Sequence, residues 1–182
     1  MSPTVRGFLI GVVTVAAVAG AAAYAYVGAG LYPIGADVPH APLTLHMIDR
    51  LRDSATERAA QSVRVPANLD DASMVASGAR EYAEECTGCH LAPDQTHSAL
   101  RAGLYPQPPD LGHEGIDNDA EAFWIIKHGI KMSAMPAWGR THSDPQLWSL
   151  VAFLRKVPNM TPAQYHVLAG DDKALAPDVP AH

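Results

Sequence analysis

The chain has 182 residues, 48% of them apolar and 18% charged, with a net charge of −6, which leaves room for one ordinary domain plus appendages. That acidic balance excludes nucleic acid as a natural partner, which asks for a basic face, and fits poorly with adhesion to anionic lipid. The two cysteines stand three positions apart, so a disulfide between them would close too small a loop to stabilise much.

In chain order, the first expected element is a run of twenty uncharged residues from Phe8 to Val27. As a helix it spans about 30 Å, the hydrocarbon core of a bilayer. Arg6 and the amino terminus are the early positive charges and keep that end in the cytoplasm, so everything after Gly28 lies outside, in the periplasm of a bacterium. A cleaved leader competes with a retained anchor, because Ala23-Tyr24-Ala25 offers a small-x-small cleavage pattern. The apolar run is longer than the roughly 7–15 residues of a leader and lacks a polar end, which favours the anchor. Small residues at Gly7/Gly11 and Ala16/Gly20 are spaced for helix packing in a membrane, a spacing that an alanine-rich span produces readily by chance.

Residues 29–41 carry Gly, Pro and Asp and read as a linker. Pro42 to Val63 is expected to be helical, with Leu45, Ile48 and Leu51 on one stripe, as a solvated spacer or a docking helix for a partner. The Asp70-Asp71 pair offers an N-cap for the next helix, whose buried face is Val75, Gly78/Ala79, Tyr82 and Cys86. Asp119 is the expected cap of a helix through Phe123, Trp124, Ile126 and Lys127 that Gly129 ends. Asp144 and Pro145 open a third helix, apolar almost all round and therefore buried, that runs to Lys156 before Pro158. Thr161-Pro162 begins a short helix to about Ala169, and a loose tail follows Gly170. No segment alternates like a strand, so the class is all-α.

Cys86-Thr87-Gly88-Cys89-His90 is the CxxCH spacing of covalent c-type haem attachment. Two thiols three residues apart at a helix end can reach the two vinyl groups on one porphyrin edge, and the next residue brings its imidazole under the iron. A redox CxxC would need a βαβ setting, and a structural zinc would need a further ligand and usually a second paired motif. For the sixth ligand, Met135 stands 45 residues after His90 and is followed by Pro136, which stiffens its loop. Met132, His97, His113, His128 and His142 compete for that role. Met/His is the ligation expected of cytochromes c.

From about Asp71 to Met160, half of the chain, the sequence resembles a class I c-type cytochrome. Gly78 and Tyr82 match the family's first helix, and CTGCH matches its attachment site. Pro109-Asp110-Leu111 resembles its Pro-x-Leu segment, with Pro106 and Pro108 as neighbours of the same kind. Ile126 through Trp138 matches its methionine loop, and Trp148-x-x-Val151-Ala152-Phe153-Leu154 its last helix.

The resemblance implies three core helices around one haem, with the first and last crossing near Gly78 where Trp148 or Val151 approaches. It implies that Pro109 accepts a hydrogen bond from His90 and that one haem c is held by Cys86, Cys89, His90 and Met135. With both axial positions filled, no small-molecule substrate is expected. The implied function is relay of single electrons by an anchored periplasmic protein between redox partners, or within a respiratory or dehydrogenase complex. The alternative is a haem enzyme or gas sensor from whose iron the Met departs. The expected organisation is a cytoplasmic end (1–7), an anchor (8–28), a linker with an amphipathic helix (29–70), a haem domain (71–160), and a short helix with a tail (161–182).

Overall fold

The computed structural model describes residues 2–170; the tail expected beyond them lies outside the described residues. Two compact units meet between Val38 and Pro39. In the first, α1 (Pro3–Gly28) starts at Ser2, whose hydroxyl accepts from the Val5 amide, and none of its residues is buried. Its 26 residues carry no acidic group and only Arg6, so α1 is a membrane-spanning helix by length and composition.

The second unit contains α2 (Pro42–Ala60), α3 (Ala72–Glu85), α4 (Thr87–His90), α5 (Ala99–Ala102), α6 (Leu111–Glu114), α7 (Asp119–His128), α8 (Asp144–Leu154) and α9 (Pro162–Ala169). One-turn 3₁₀ helices at Trp138–Arg140 and Val157–Asn159 complete it, and no strand occurs among the described residues. The protein is therefore all-α. The nine α-helices among the described residues exceed the three expected core helices, partly because α4, α5 and α6 are single turns of four residues.

The core is built where α3 crosses α8. On α3 the buried residues are Val75, Gly78, Ala79 and Tyr82, the face expected from the periodicity. On α8 every residue from Leu147 to Leu154 is buried, as its all-round apolar sequence requires. Phe153 lies 5.1 Å from Tyr82 between ring centroids and 6.0 Å from Tyr165 of α9. On the other side of α8, Trp148 stacks on Phe123 of α7 with centroids 4.0 Å apart and planes 9° from parallel.

Caps decide where these helices begin. Asp71 accepts from the Ser73 and Met74 amides and starts α3. Asn118, one residue earlier than expected, caps α7 by accepting from Ala120 and Glu121. Ser143 and Gln146 form a capping box at α8, which places Asp144 and Pro145 inside the first turn rather than at the cap. The chain leaves α8 at Leu154, two residues before the expected end, and turns through Val157–Asn159.

Helix α2 is more than a spacer. It packs against α7 and buries Thr56 and Ala60, leaving Leu43, Met47, Ile48 and Leu51 exposed. Of the expected stripe only Leu45 is partly covered. Small side chains allow the close approach of the two helices, and an apolarity pattern does not register them.

Candidate cofactor site

The last turns of α3 place the cysteines. Cys86 terminates α3, and its carbonyl accepts from the amides of Cys89 and His90, so the chain winds directly into α4. Both thiols are free, and both side chains are partly buried. Burial, with Glu85, Glu81 and Cys89 nearby, pushes the Cys86 thiol up to about 12.

His90 closes α4. The next residue, Leu91, takes φ +62, a left-handed conformation uncommon for leucine, and its carbonyl accepts from the Tyr82 hydroxyl at 2.6 Å. The same hydroxyl lies 3.1 Å from the His90 carbonyl, and burial raises the Tyr82 pKa above its ordinary value. On the far side Gly112 comes so near that an added methyl would lie 2.6 Å from the Leu91 oxygen. The buried Tyr82 and the glycine together fix the exit from the motif.

The His90 Nδ1 lies 2.9 Å from the Pro109 carbonyl. A carbonyl only accepts, so Nδ1 carries the proton and Nε2 presents its lone pair. Burial lowers the His90 pKa; the Pro109 bond opposes this, the nearby Arg101 adds to it, and Asp110 opposes it. The imidazole is thereby kept neutral, which is its metal-ligating form. Of the three neighbouring prolines, Pro109 meets His90, whereas the Pro108 carbonyl accepts from Arg101 Nη2 at 2.9 Å.

The methionine loop is held by its own backbone. Gly129 ends α7 with φ +65, and an added methyl there would lie 2.7 Å from the Met135 carbonyl. That carbonyl accepts from the Ile130 amide at 3.2 Å. The Met135 amide donates to Ser133 Oγ at 3.1 Å, and this hydroxyl donates to the Ile130 carbonyl at 2.8 Å. Met135 packs against the core and is in contact with His90. Met132 is wholly exposed, at φ +58 on the loop's outer turn. Ser133 and the second role of Gly129 went unrecognised in the sequence, although a serine two residues before the methionine is the available cue.

Of the other histidines, His113 pairs with Asp110 at 2.8 Å, and His128 rests on Trp124 at 4.9 Å. His142 Nε2 lies 3.1 Å from Glu81 Oε1, within ion-pair range though not aligned as a hydrogen bond, and links α3 to the chain after the methionine loop. His97 is exposed on the chain between α4 and α5.

These residues fit a covalently held porphyrin. Two thiols, an imidazole with a free Nε2 and a thioether in contact with that imidazole converge on one place. Arg101 also contributes a buried Nε that no group among the described residues satisfies. No cluster of three or more His, Cys, Asp or Glu suited to a metal ion occurs among the described residues.

The family model described as cytochrome C oxidase, cbb3-type, subunit III matches residues 73–154. No curated protein matches the chain.

Proposed function

We propose that the chain is a membrane-anchored, monohaem class I c-type cytochrome that relays electrons, working in the periplasm as a non-catalytic carrier for other redox proteins. One haem c, bound covalently at Cys86 and Cys89, supplies a one-electron couple. The observation that carries the proposal is the closed donor set. His90, its Nδ1 committed to Pro109, offers one ligand, and Met135, in contact with His90 and fixed through Ser133 and Gly129, offers the other. A haem held by both residues would have no open position on its iron for a small-molecule substrate.

In this reading residues 71–160 form the haem domain of the class I fold, with α3, α7 and α8 as its three core helices. Pro109 orients His90, while α8 and Phe123 exclude water from the core. A thioether ligand in a dry site favours ferrous iron and a high potential. The match to an oxidase subunit supports a place in the inner membrane beside a respiratory complex, with α1 as a single span and the haem domain outside.

The test has two arms. Haem should stay with the polypeptide through acid-acetone extraction, and the ferric protein should show the weak charge-transfer band of a Met–iron bond. The protein should also resist release from membranes by a high-salt wash and come away in detergent. Extracted haem refutes attachment, and a missing band refutes Met135 ligation.

A further inference from the structure

Helix α2 has its faces reversed. Its covered side carries Leu45 and otherwise Asp49, Arg52, Thr56, Ala59 and Ala60, all buried or partly buried and spaced as one helical stripe. The opposite side carries Leu43, Met47 and Leu51, four residues apart, with Ile48 beside them. These four are exposed by 71, 63, 71 and 43% respectively. A helix on a water-facing surface has the other arrangement, with its large apolar residues turned inward. Single exposed leucines are ordinary, but a contiguous apolar row is a contact face. The helix is also held firmly behind that row. It packs on α7, and just before its start the His40 amide donates to the Tyr105 hydroxyl at 3.0 Å.

What covers the face follows from the course of the chain. The thirteen residues between Gly28 and Pro42 reach at most about 45 Å, so α2 is tied within that distance of the end of the membrane-spanning helix. Leu31 and Ile34 in this connection are exposed, and Asp37 is its single charge. A lipid surface tethered at such range is present at high effective concentration, whereas a protein partner has to be met by diffusion. Arg50, Arg52 and Arg58 balance Asp49, Asp53 and Glu57, so charge neither draws α2 to lipid nor holds it away. Flexible aliphatic side chains need no matching pocket, which suits fluid acyl chains. Resting on α1 as the membrane span, we infer that α2 is a second membrane contact. It lies in the headgroup region of the bilayer, with Leu43, Met47, Ile48 and Leu51 sunk roughly 5–10 Å toward the acyl chains. Packed on α7, it seats the haem domain at the lipid surface.

The full-length, haem-loaded protein is placed in phosphatidylcholine vesicles at high lipid excess, with a nitroxide on one new cysteine in each of Met47→Cys, Leu51→Cys, Arg50→Cys and Glu57→Cys. Collision of the label with oxygen, relative to a water-soluble nickel chelate, should be several-fold higher at positions 47 and 51 than at 50 and 57. Met47→Glu with Leu51→Glu should return a label at Leu43→Cys to water while the haem spectrum stays that of wild type. Equal ratios at the four positions overturn the inference, as does a Leu43→Cys label that the double variant leaves in lipid. Spin–spin coupling between chains that survives dilution in lipid also overturns it and assigns the face to a second copy. If a high-salt wash frees the wild-type protein from the vesicles, the anchor reading fails. Protein that stays, with water-like ratios at 47 and 51, refutes the role of α2 alone.

Discussion

A methyl group placed on Gly78 would overlap the carbonyl oxygen of Ser149, so α3 and α8 cross backbone against backbone. The expected approach of Trp148 or Val151 is thus corrected: what fills the space of the missing side chain is the Ser149–Leu150 peptide. A helix backbone cannot step aside as a side chain can. Gly78→Ala should therefore sit at the costly end of overpacking, about 3 kcal/mol. Chemical unfolding of the haem-loaded variant checks this, and a loss below 1 kcal/mol would show that the crossing is loose.

Met135→His should keep a six-coordinate haem and lower the potential markedly, since imidazole stabilises ferric iron and a thioether does not. Met132 points to solvent, and Met132→Ala should leave spectrum and potential alone. Ser133→Ala removes the anchor of the Met135 amide and should weaken the Met–iron band without abolishing it.

Glu81 gives a pH dependence of known sign. Burial raises its pKa above the ordinary 4.5, Glu84 and Glu85 push the same way, and His142 opposes. The native chain then holds this proton more tightly than the unfolded chain. The resulting stability is complete below the unfolded value and is lost as pH rises through the folded one. Melting temperatures at pH 5 and pH 7 should therefore differ less in Glu81→Gln than in wild type. Asp70 and Asp71, both lowered, lose their contributions only as pH falls below the ordinary 3.8, outside this window.

Three cations surround the methionine loop, but they are not equivalent. Lys127 is held 2.7 Å from Asp144 and lies over the Phe123 ring, so it ties α7 to α8. Lys131 and Arg140 are exposed. If they steer an acidic partner, Lys131→Glu with Arg140→Glu should slow electron transfer at low salt and flatten its salt dependence. Lys127→Glu should act on stability instead, by about 0.5 kcal/mol as for an exposed pair. Equal rate losses from Lys127→Glu and the double variant would place Lys127 on the docking surface as well.

Helices with several turns and a one-sided apolar face were legible in the sequence: α3 through Val75, Ala79 and Tyr82, α8 through its unbroken apolar stretch, α9 through Thr161-Pro162. The single turns α4, α5 and α6 were not, because four residues carry no period. Caps slipped by one residue at Asn118 and Ser143, where neighbouring polar residues compete for the same amides and only tertiary packing selects one. The CxxCH spacing is local and could be read directly. Arg101 could not, since its meaning lies in reaching Pro108 seven residues away.

The partly buried Cys86 bears on the order in which the protein is assembled. A thiol whose pKa stands at about 12 is almost never ionised at neutral pH, whereas the same cysteine in an open chain ionises near 8.5. Forming a carbon–sulfur bond at Cys86 is thus easiest before α3 and α4 come together. Attachment before folding is therefore the expected order, since a chain that folded early would present Cys86 as a less reactive thiol.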